Sequence, residues 1–561
     1  MRSVLVDRLR NMINEIQTNT KVRLLFSILV FLIGIIAAIS YICFYERTEV
    51  NSDYTDTLLW AYESIKGKCV YNNGFYYAYM LPFGGSLIMM IPVLLFGFTY
   101  KAHMLGMVLF VFILAAVLVA FYKMIFNDIN RGFYLSGLSL LFFLCSRNMR
   151  LIFYGHIIQY SLGITMVCIA LLIISKVLHS DITIYAERKK RAIYLSLLFL
   201  FTLLCMTNGV NIAPFFFAPV FIAVMLEAFL DKNCNYGDEK FKKTLLIGGL
   251  LIISGLMGFL LNSFLKRNID TTYVDTLMSY RPVNEWFFST RELLATWCNL
   301  GVGEVQMGEK IASINGIRVG MMYIFSLLIL VIPAIGVCCY NRINSQIIRI
   351  QVIAHHVILI VTWLTVSVIR TENIGHEWRW GGAFASAVIT SVILVSCCID
   401  NNDMRRWGIL ANTFILISAV LVVVYVRGLD KSYGANDLDR VKDTLLANNL
   451  SYGYADFWDA NAITMLSDDS VRVRAIELDV FEDNQVKERA VPYRYQTEEA
   501  WYCDQQGVDK YFVFLRYSAY DRCPGELRNA AQEIIEIDGS LGYILVYDHN
   551  IFKDGESIYD R

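Results

Sequence analysis

Four things are missing from this chain of 561 residues, and each absence removes a class of protein. Net charge is one. Basic and acidic residues balance to a formal -1, so no overall field gathers nucleic acid. A CxxC pair or a His/Cys cluster with metal-ligand spacing is another, which removes zinc-ribbon and thioredoxin-type readings. Thirteen cysteines are present, but Cys145, Cys168, Cys205 and the doublets Cys338-Cys339 and Cys397-Cys398 lie in apolar runs, where a thiol serves as a small hydrophobe. Internal repeats are absent, and charge is nearly absent from the centres of the apolar runs, which argues against a secondary transporter. A cleavable signal peptide is also lacking. Residues 1–23 are basic and polar, and the run 24–45 has no small-residue cleavage site and is long enough to span, so it reads as a signal anchor.

What the chain has instead is hydrocarbon. It is 56% hydrophobic with a mean hydropathy of +0.48, more apolar surface than one soluble core could hide. The apolar residues come in long runs, so lipid is the expected solvent. Eleven runs read as spans: 24–45, 102–125, 133–146, 157–178, 192–206, 212–230, 244–265, 319–340, 350–368, 381–399 and 408–426. Cationic loops orient them. Arg8, Arg10, Lys21 and Arg23, then Arg188 to Arg191, Lys240 to Lys243, Arg342 and Arg349, and Arg405 and Arg406 all belong on the cytoplasmic side. A twelfth run, 81–98, would break that alternation. It carries Pro82, Gly84-Gly85 and Pro92, which suit a re-entrant or interfacial segment better than an uninterrupted helix; the short run 133–146 is the alternative for the one that does not cross.

The expected fold is therefore mainly α. A short cytoplasmic segment, 1–23, precedes a polytopic helical domain, 24–426, with outer loops at 46–101, 266–318 and 370–380. A soluble domain, 427–561, follows outside the cytoplasm. Acidic residues outnumber basic ones in this tail, unlike a nucleic-acid reader. Its pattern reads as small α/β: helices over 437–448, 457–466 and 524–534, and strands over 471–478, 511–517 and 543–547. Cys503 and Cys523 are its only cysteines, and an oxidising compartment would permit a bond between them.

Polar chemistry gathers at the outer surface. In the first outer loop, Asp53 and Asp56 stand three residues apart at the start of a helical pattern, where they share a face or cap an end. A membrane enzyme acting on a hydroxyl needs a base at that depth. The third outer loop packs Arg370, His376, Glu377, Trp378, Arg379 and Trp380 between two spans, a set that suits a phosphate or a sugar face as well as an interfacial anchor. Arg150, His156 and Tyr160 flank the outer end of another span, and arginine there runs against the positive-inside trend.

This layout resembles the C-type glycosyltransferase (GT-C) superfamily, which includes protein O-mannosyltransferases and the lipid A aminoarabinose transferases. The resemblance covers about residues 20 to 430. Asp53, Trp60-Ala61, Gly67 and Tyr79-Met80-Leu81-Pro82 look like that family's first outer loop. Arg379-Trp380 looks like the Arg-Tyr pair that often opens a late span there, with Trp in place of Tyr. The tail's stretch from Gly453 to Asn461 looks like tails of uncharacterised bacterial members.

The resemblance implies transfer of a sugar from a polyprenyl-phosphate donor to a glycan, lipid or protein acceptor outside a bacterial cytoplasmic membrane. Asp53 or Asp56 would be the base of an inverting reaction. Arg379, with Arg370, His376 and Arg150 behind it, would hold the donor phosphate. Trp60, His156 and Trp378 would contact acceptor or sugar. No cofactor is implied with certainty, and a divalent metal stays open. The partners are the donor lipid, the bilayer and the acceptor, with no nucleic acid. A transporter or lipid flippase is the alternative, followed by a polysaccharide polymerase or ligase and a non-catalytic scaffold.

Overall fold

The computed structural model describes residues 19–561 except 78, 181–184, 232–237, 270–278, 306–307, 309, 371–376, 433–434, 483–484, 538–540, 554–555 and 558–561. Two compact units emerge. One joins Met1–Tyr41, Phe110–Asn262 and Met278–Leu429, and the other joins Ile42–Leu109, Ser263–Leu277 and Asp430–Arg561.

Among the described residues, nine helices are long and apolar enough to cross a bilayer: Thr20–Phe44, Tyr100–Phe126, Gln159–Leu178, Gly209–Leu230, Glu239–Leu265, Ile314–Cys338, Gln346–Val368, Glu377–Asp400 and Arg405–Arg427. The chain is an integral multi-pass membrane protein. Eleven spans were expected, and the other two segments are helices of a different kind. Ile129–Phe142 has 14 residues. At ~1.5 Å per residue it rises ~21 Å, short of a hydrocarbon core of ~30 Å. It packs backbone to backbone against Thr20–Phe44. A Cβ on Gly137 would sit 2.6 Å from the Val30 carbonyl oxygen, so glycine is required there. Tyr185–Met206 has 22 residues, but its first two turns carry Glu187, Arg188, Lys189, Lys190 and Arg191.

In the second unit, the run 81–98 is broken as its prolines and glycines foretell. Gly84 sits at φ 127, a value that favours glycine, inside a distorted turn over Pro82–Ser86. Leu87–Phe96 follows with 10 residues. That is about 15 Å of helix, too short to cross alone. Leu87, Ile91, Leu94 and Leu95 form one exposed apolar face on it.

The rest of this unit is α/β. A six-stranded sheet runs in the order Gln485–Pro492, Arg472–Glu482, Tyr452–Asp456, Tyr511–Arg516, Gly542–Tyr547 and Glu533–Ile537. Tyr452–Asp456 is parallel to both of its neighbours, and the remaining pairs are antiparallel. Asp437–Ala447 and Phe457–Leu466 are the expected helices. The helix expected over 524–534 is wrong beyond its first turns. It stops as Gly525–Asn529, and Glu533–Ile537 is an edge strand whose Ile535 and Ile537 pair with Ile544 and Gly542. Cys503 and Cys523 are free thiols, the first exposed and the second buried, so the permitted disulfide is not made.

The first outer loop folds with the tail. Phe75–Tyr76 pairs as a short antiparallel strand with Thr497–Glu498. The Trp60 indole donates to Gln496 Oε1 at 2.8 Å. Arg47 grips Asp439, and the Asn436 amide donates to the carbonyls of Arg47 (2.8 Å) and Val50 (3.0 Å). Charge-assisted and backbone pairings of this kind tie the acid-bearing segment to tail residues hundreds of positions later.

Candidate active site

The acidic pair stands on a capped turn. The Asn51 side chain accepts from the Asp53 N–H at 3.0 Å and starts a 3-10 turn over Ser52–Thr55. Asp56 opens the helix Asp56–Gly67. Asp56 is buried and Asp53 half-buried. The Tyr79 hydroxyl donates to Asp56 Oδ2 at 3.3 Å, and the Tyr79 ring meets Trp60 edge-on at 4.9 Å.

Desolvation pushes both carboxyls up, Asp53 to about 6. Asp56 is raised well above the usual carboxylate value: burial contributes most, the Asp53 charge adds to it, and the Tyr79 hydrogen bond offsets part. Near neutral pH, above its value of about 6, Asp53 is ionised. An ionised carboxylate can accept a proton, which is what a general base does. Ser52 Oγ and Thr57 Oγ1 are buried beside them without partners among the described residues. Among the described residues, no group of three or more His, Cys, Asp or Glu could hold a metal ion.

In the first unit, the turn Glu377–Trp380 carries Arg379 and leads into the helix Gly381–Asp400. Glu377 anchors it. Its carboxylate accepts from Asn148 Nδ2 and from Asn299 Nδ2, each at 2.8 Å, so three separate segments meet on one side chain. The Arg379 guanidinium lies 5.4 Å from the Trp378 ring centre, and Trp378 meets Tyr160 edge-on at 5.7 Å. Arg150 is buried, 5.4 Å from the Tyr41 ring and 5.5 Å from that of Tyr425. A second buried guanidinium, Arg318, lies 4.1 Å from the same Tyr425 ring. Arg318, the last residue of the expected outer loop 266–318, was not singled out in the sequence, and it lies in the first turns of Ile314–Cys338.

The remaining expected residues are less uniform. Arg370 lies in a two-residue strand whose partner is Ser279–Tyr280, with its side chain outside the described residues, as is His376. His156 is buried in an extended stretch that ends a distorted helical turn. Trp60 is fully buried with its indole N–H used by Gln496, so in this conformation its ring offers no face to a sugar.

An apolar cleft of about 350 Å³ also opens in the first unit. Three helices form its walls. Leu293 and Leu294 come from Val283–Val302, Leu330 from Ile314–Cys338, and Leu359 and Ile360 from Gln346–Trp363, with Trp297, Trp363 and Trp380 around them. Such a lining accepts a hydrocarbon chain.

No family profile matches this chain, and no curated protein does. Among solved structures, it is similar to the Archaeoglobus fulgidus oligosaccharyltransferase in complex with Zn and sulfate. That pair is 10% identical at a TM-score of 0.44, over 92% of this chain and 72% of the other. The same enzyme tethered to an acceptor peptide gives 9% and 0.43, and its apo form 11% and 0.39, both over 80% of this chain. This chain spans 63 and 64% of the length of those two. At these values the site rests on its own geometry.

Proposed function

We propose that this protein is a GT-C-type membrane glycosyltransferase. It moves a sugar from a polyprenyl-phosphate donor to a glycan, lipid or protein acceptor outside a bacterial cytoplasmic membrane, with the tail on that outer side. The observation that carries the reading is the acidic pair on one capped turn, Asp53 half-buried and Asp56 buried against the Tyr79 hydroxyl. The apolar cleft supports a lipid-linked donor, since a prenyl chain needs such a surface within the bilayer.

In the reaction, Asp53 accepts the proton of the acceptor hydroxyl as that oxygen attacks the anomeric carbon. The glycosidic bond forms on the face opposite the leaving group, and the bond from the anomeric carbon to the phosphate oxygen breaks. Polyprenyl phosphate leaves with the electron pair. Arg379 stabilises its charge, with Arg370, His376 and Arg150 as secondary cations. Trp378 and His156 face the sugar or acceptor.

The test separates the two roles. Asp53→Asn should lower turnover at least ~10²-fold with donor binding retained, the low end for a lost general base. Arg379→Ala should instead weaken donor binding through a lost charge-assisted contact. A larger loss in Asp56→Asn than in Asp53→Asn would reassign the base.

One observation favours transport as a second reading. Gln351 and His355 lie buried on the span Gln346–Val368, against Thr390 at 3.1 Å and Ser386 at 3.3 Å, and polar residues at that depth often line a pathway. The transport reading predicts that intact lipid-linked sugar crosses the bilayer without transfer.

A further inference from the structure

Three tryptophans line the apolar cleft, and their indole N–H groups are not equivalent. Trp297 Nε1 donates to the Ser326 carbonyl oxygen at 2.8 Å. Trp363 Nε1 donates to Thr290 Oγ1 at 3.0 Å. Trp380 is 3% exposed, and its Nε1 has no acceptor among the described residues. A buried indole N–H ordinarily finds a partner, and leaving one unmade is unfavourable. Relaxation of the loop does not offer an easy escape. Trp380 closes the turn whose Glu377 is held at 2.8 Å by both Asn148 and Asn299, and its residue caps Gly381–Asp400.

We propose that the Trp380 N–H is a donor to the ligand of the cleft, reading a phosphate oxygen at the head of an isoprenoid chain, and that Glu377 is the positioning residue that holds it there. The inference rests on the proposed lipid-phosphate donor and adds two residues to it. The chain would lie against the leucines and Ile360. The head would lie where the aromatic wall meets the Arg379 turn, since Trp380 belongs to both. An apolar cleft with one unmet donor selects an amphiphile over a plain hydrocarbon. The hydrocarbon leaves that donor unpaired, and the phosphate supplies a charged acceptor.

Direct binding to the full-length protein in detergent tests this without any transfer assay. Three probes are used: farnesyl phosphate, the hydrocarbon farnesene, and inorganic phosphate. Wild type should bind farnesyl phosphate most tightly. Trp380→Phe keeps a ring and removes the donor, so it should weaken farnesyl phosphate about 10-fold or more and leave farnesene unchanged. Equal losses for both chains would mean that the ring only packs, and an unchanged farnesyl phosphate affinity would mean that the N–H meets water or nothing; either overturns the inference. Tighter binding of inorganic phosphate than of farnesyl phosphate would overturn it too, because the chain would then play no part.

Glu377 is tested by exchange. Asn148→Asp sets two carboxylates against each other and should weaken farnesyl phosphate as Trp380→Phe does. Adding Glu377→Gln restores a donor–acceptor pair and should restore binding. Failure of that rescue, with both variants folded by their melting curves, removes Glu377 from the account. Binding that behaves as expected in a protein that transfers no sugar would defeat the glycosyltransferase reading and leave this one standing.

Discussion

Replacing Asp53 with Asn should stabilise this protein above neutral pH while abolishing its activity. In the unfolded chain the carboxyl titrates at an ordinary 3.8, and desolvation in the folded turn raises it to about 6. A raised carboxyl is an acid that folding prefers to keep protonated. Below about pH 4 it is protonated in both states and costs nothing. As pH climbs from there through 6, the unfolded state ionises freely and the folded state does so at a penalty. Above both values that penalty is about 3 kcal/mol, at ~1.4 kcal/mol for each tenfold step in acidity. Asp53 is half-buried, so solvent screening brings the expected gain from Asn to about 1–3 kcal/mol. The assay is thermal unfolding of both proteins in the same detergent at pH 4.5 and pH 8. The Asn variant should melt higher at pH 8, and the gap should shrink or vanish at pH 4.5. An Asn variant that is less stable at pH 8, or a gap of equal size at both pH values, would refute the argument that burial raises this carboxyl. The same titration should shape catalysis, with turnover falling as pH drops below about 6 because the base becomes protonated.

Orientation and packing give two further tests. In a cysteine-free background, a membrane-impermeant thiol reagent applied outside should modify a cysteine placed at exposed Ser470 and spare one at exposed Lys189; the reverse pattern would invert the topology. Arg349→Ala should destabilise the membrane unit by about 3 kcal/mol in a melting experiment, the low end for breaking a buried ion pair. Arg349 pairs with fully buried Glu227 at 2.6 Å and with Asp231 at 2.9 Å, and the change leaves Glu227 with the Tyr340 hydroxyl and Asp231 with Lys240; a shift near zero would mean that these remaining partners suffice.

Much of the fold was legible in the sequence because lipid imposes a simple rule. Long apolar runs became helices, with boundaries moved by a few residues, and Pro82 and Gly84 announced the broken segment. The rule fails where protein replaces lipid. Ile129–Phe142 is short yet helical because glycine contacts with Thr20–Phe44, rather than hydrocarbon, bury it. In the tail, Tyr452–Asp456 was missed because a strand buried on both faces shows no alternation, and Gly453 weakened its signal further. Glu533–Ile537 was taken for helix because adjacent isoleucines fit either period until a neighbouring strand decides.

The candidate site divides in the same way. Asp53 and Asp56 could be singled out from spacing alone, but not that burial raises both carboxyls or that Tyr79 reaches Asp56 from outside the helix. Trp60 looked like a sugar platform and is a core residue, because its partner Gln496 lies 436 positions away. Glu377 was visible only as one polar residue among many. Its role arises from two asparagines on other segments. The cleft had no sequence signal at all, being shared among three helices and a turn.

The central claim is sugar transfer from a lipid phosphate, and one measurement addresses it most directly. Purified protein in liposomes is given a polyprenyl-phosphate sugar labelled in the sugar, with a cell-envelope extract as acceptor source, and the label is followed by chromatography and its anomeric configuration by NMR. The account predicts that label leaves the lipid with inversion in wild type, and that Asp53→Asn slows this at least ~10²-fold. Transfer at the wild-type rate by both Asp53→Asn and Asp56→Asn, or movement of the intact lipid-linked sugar across the bilayer with no transfer, would contradict it.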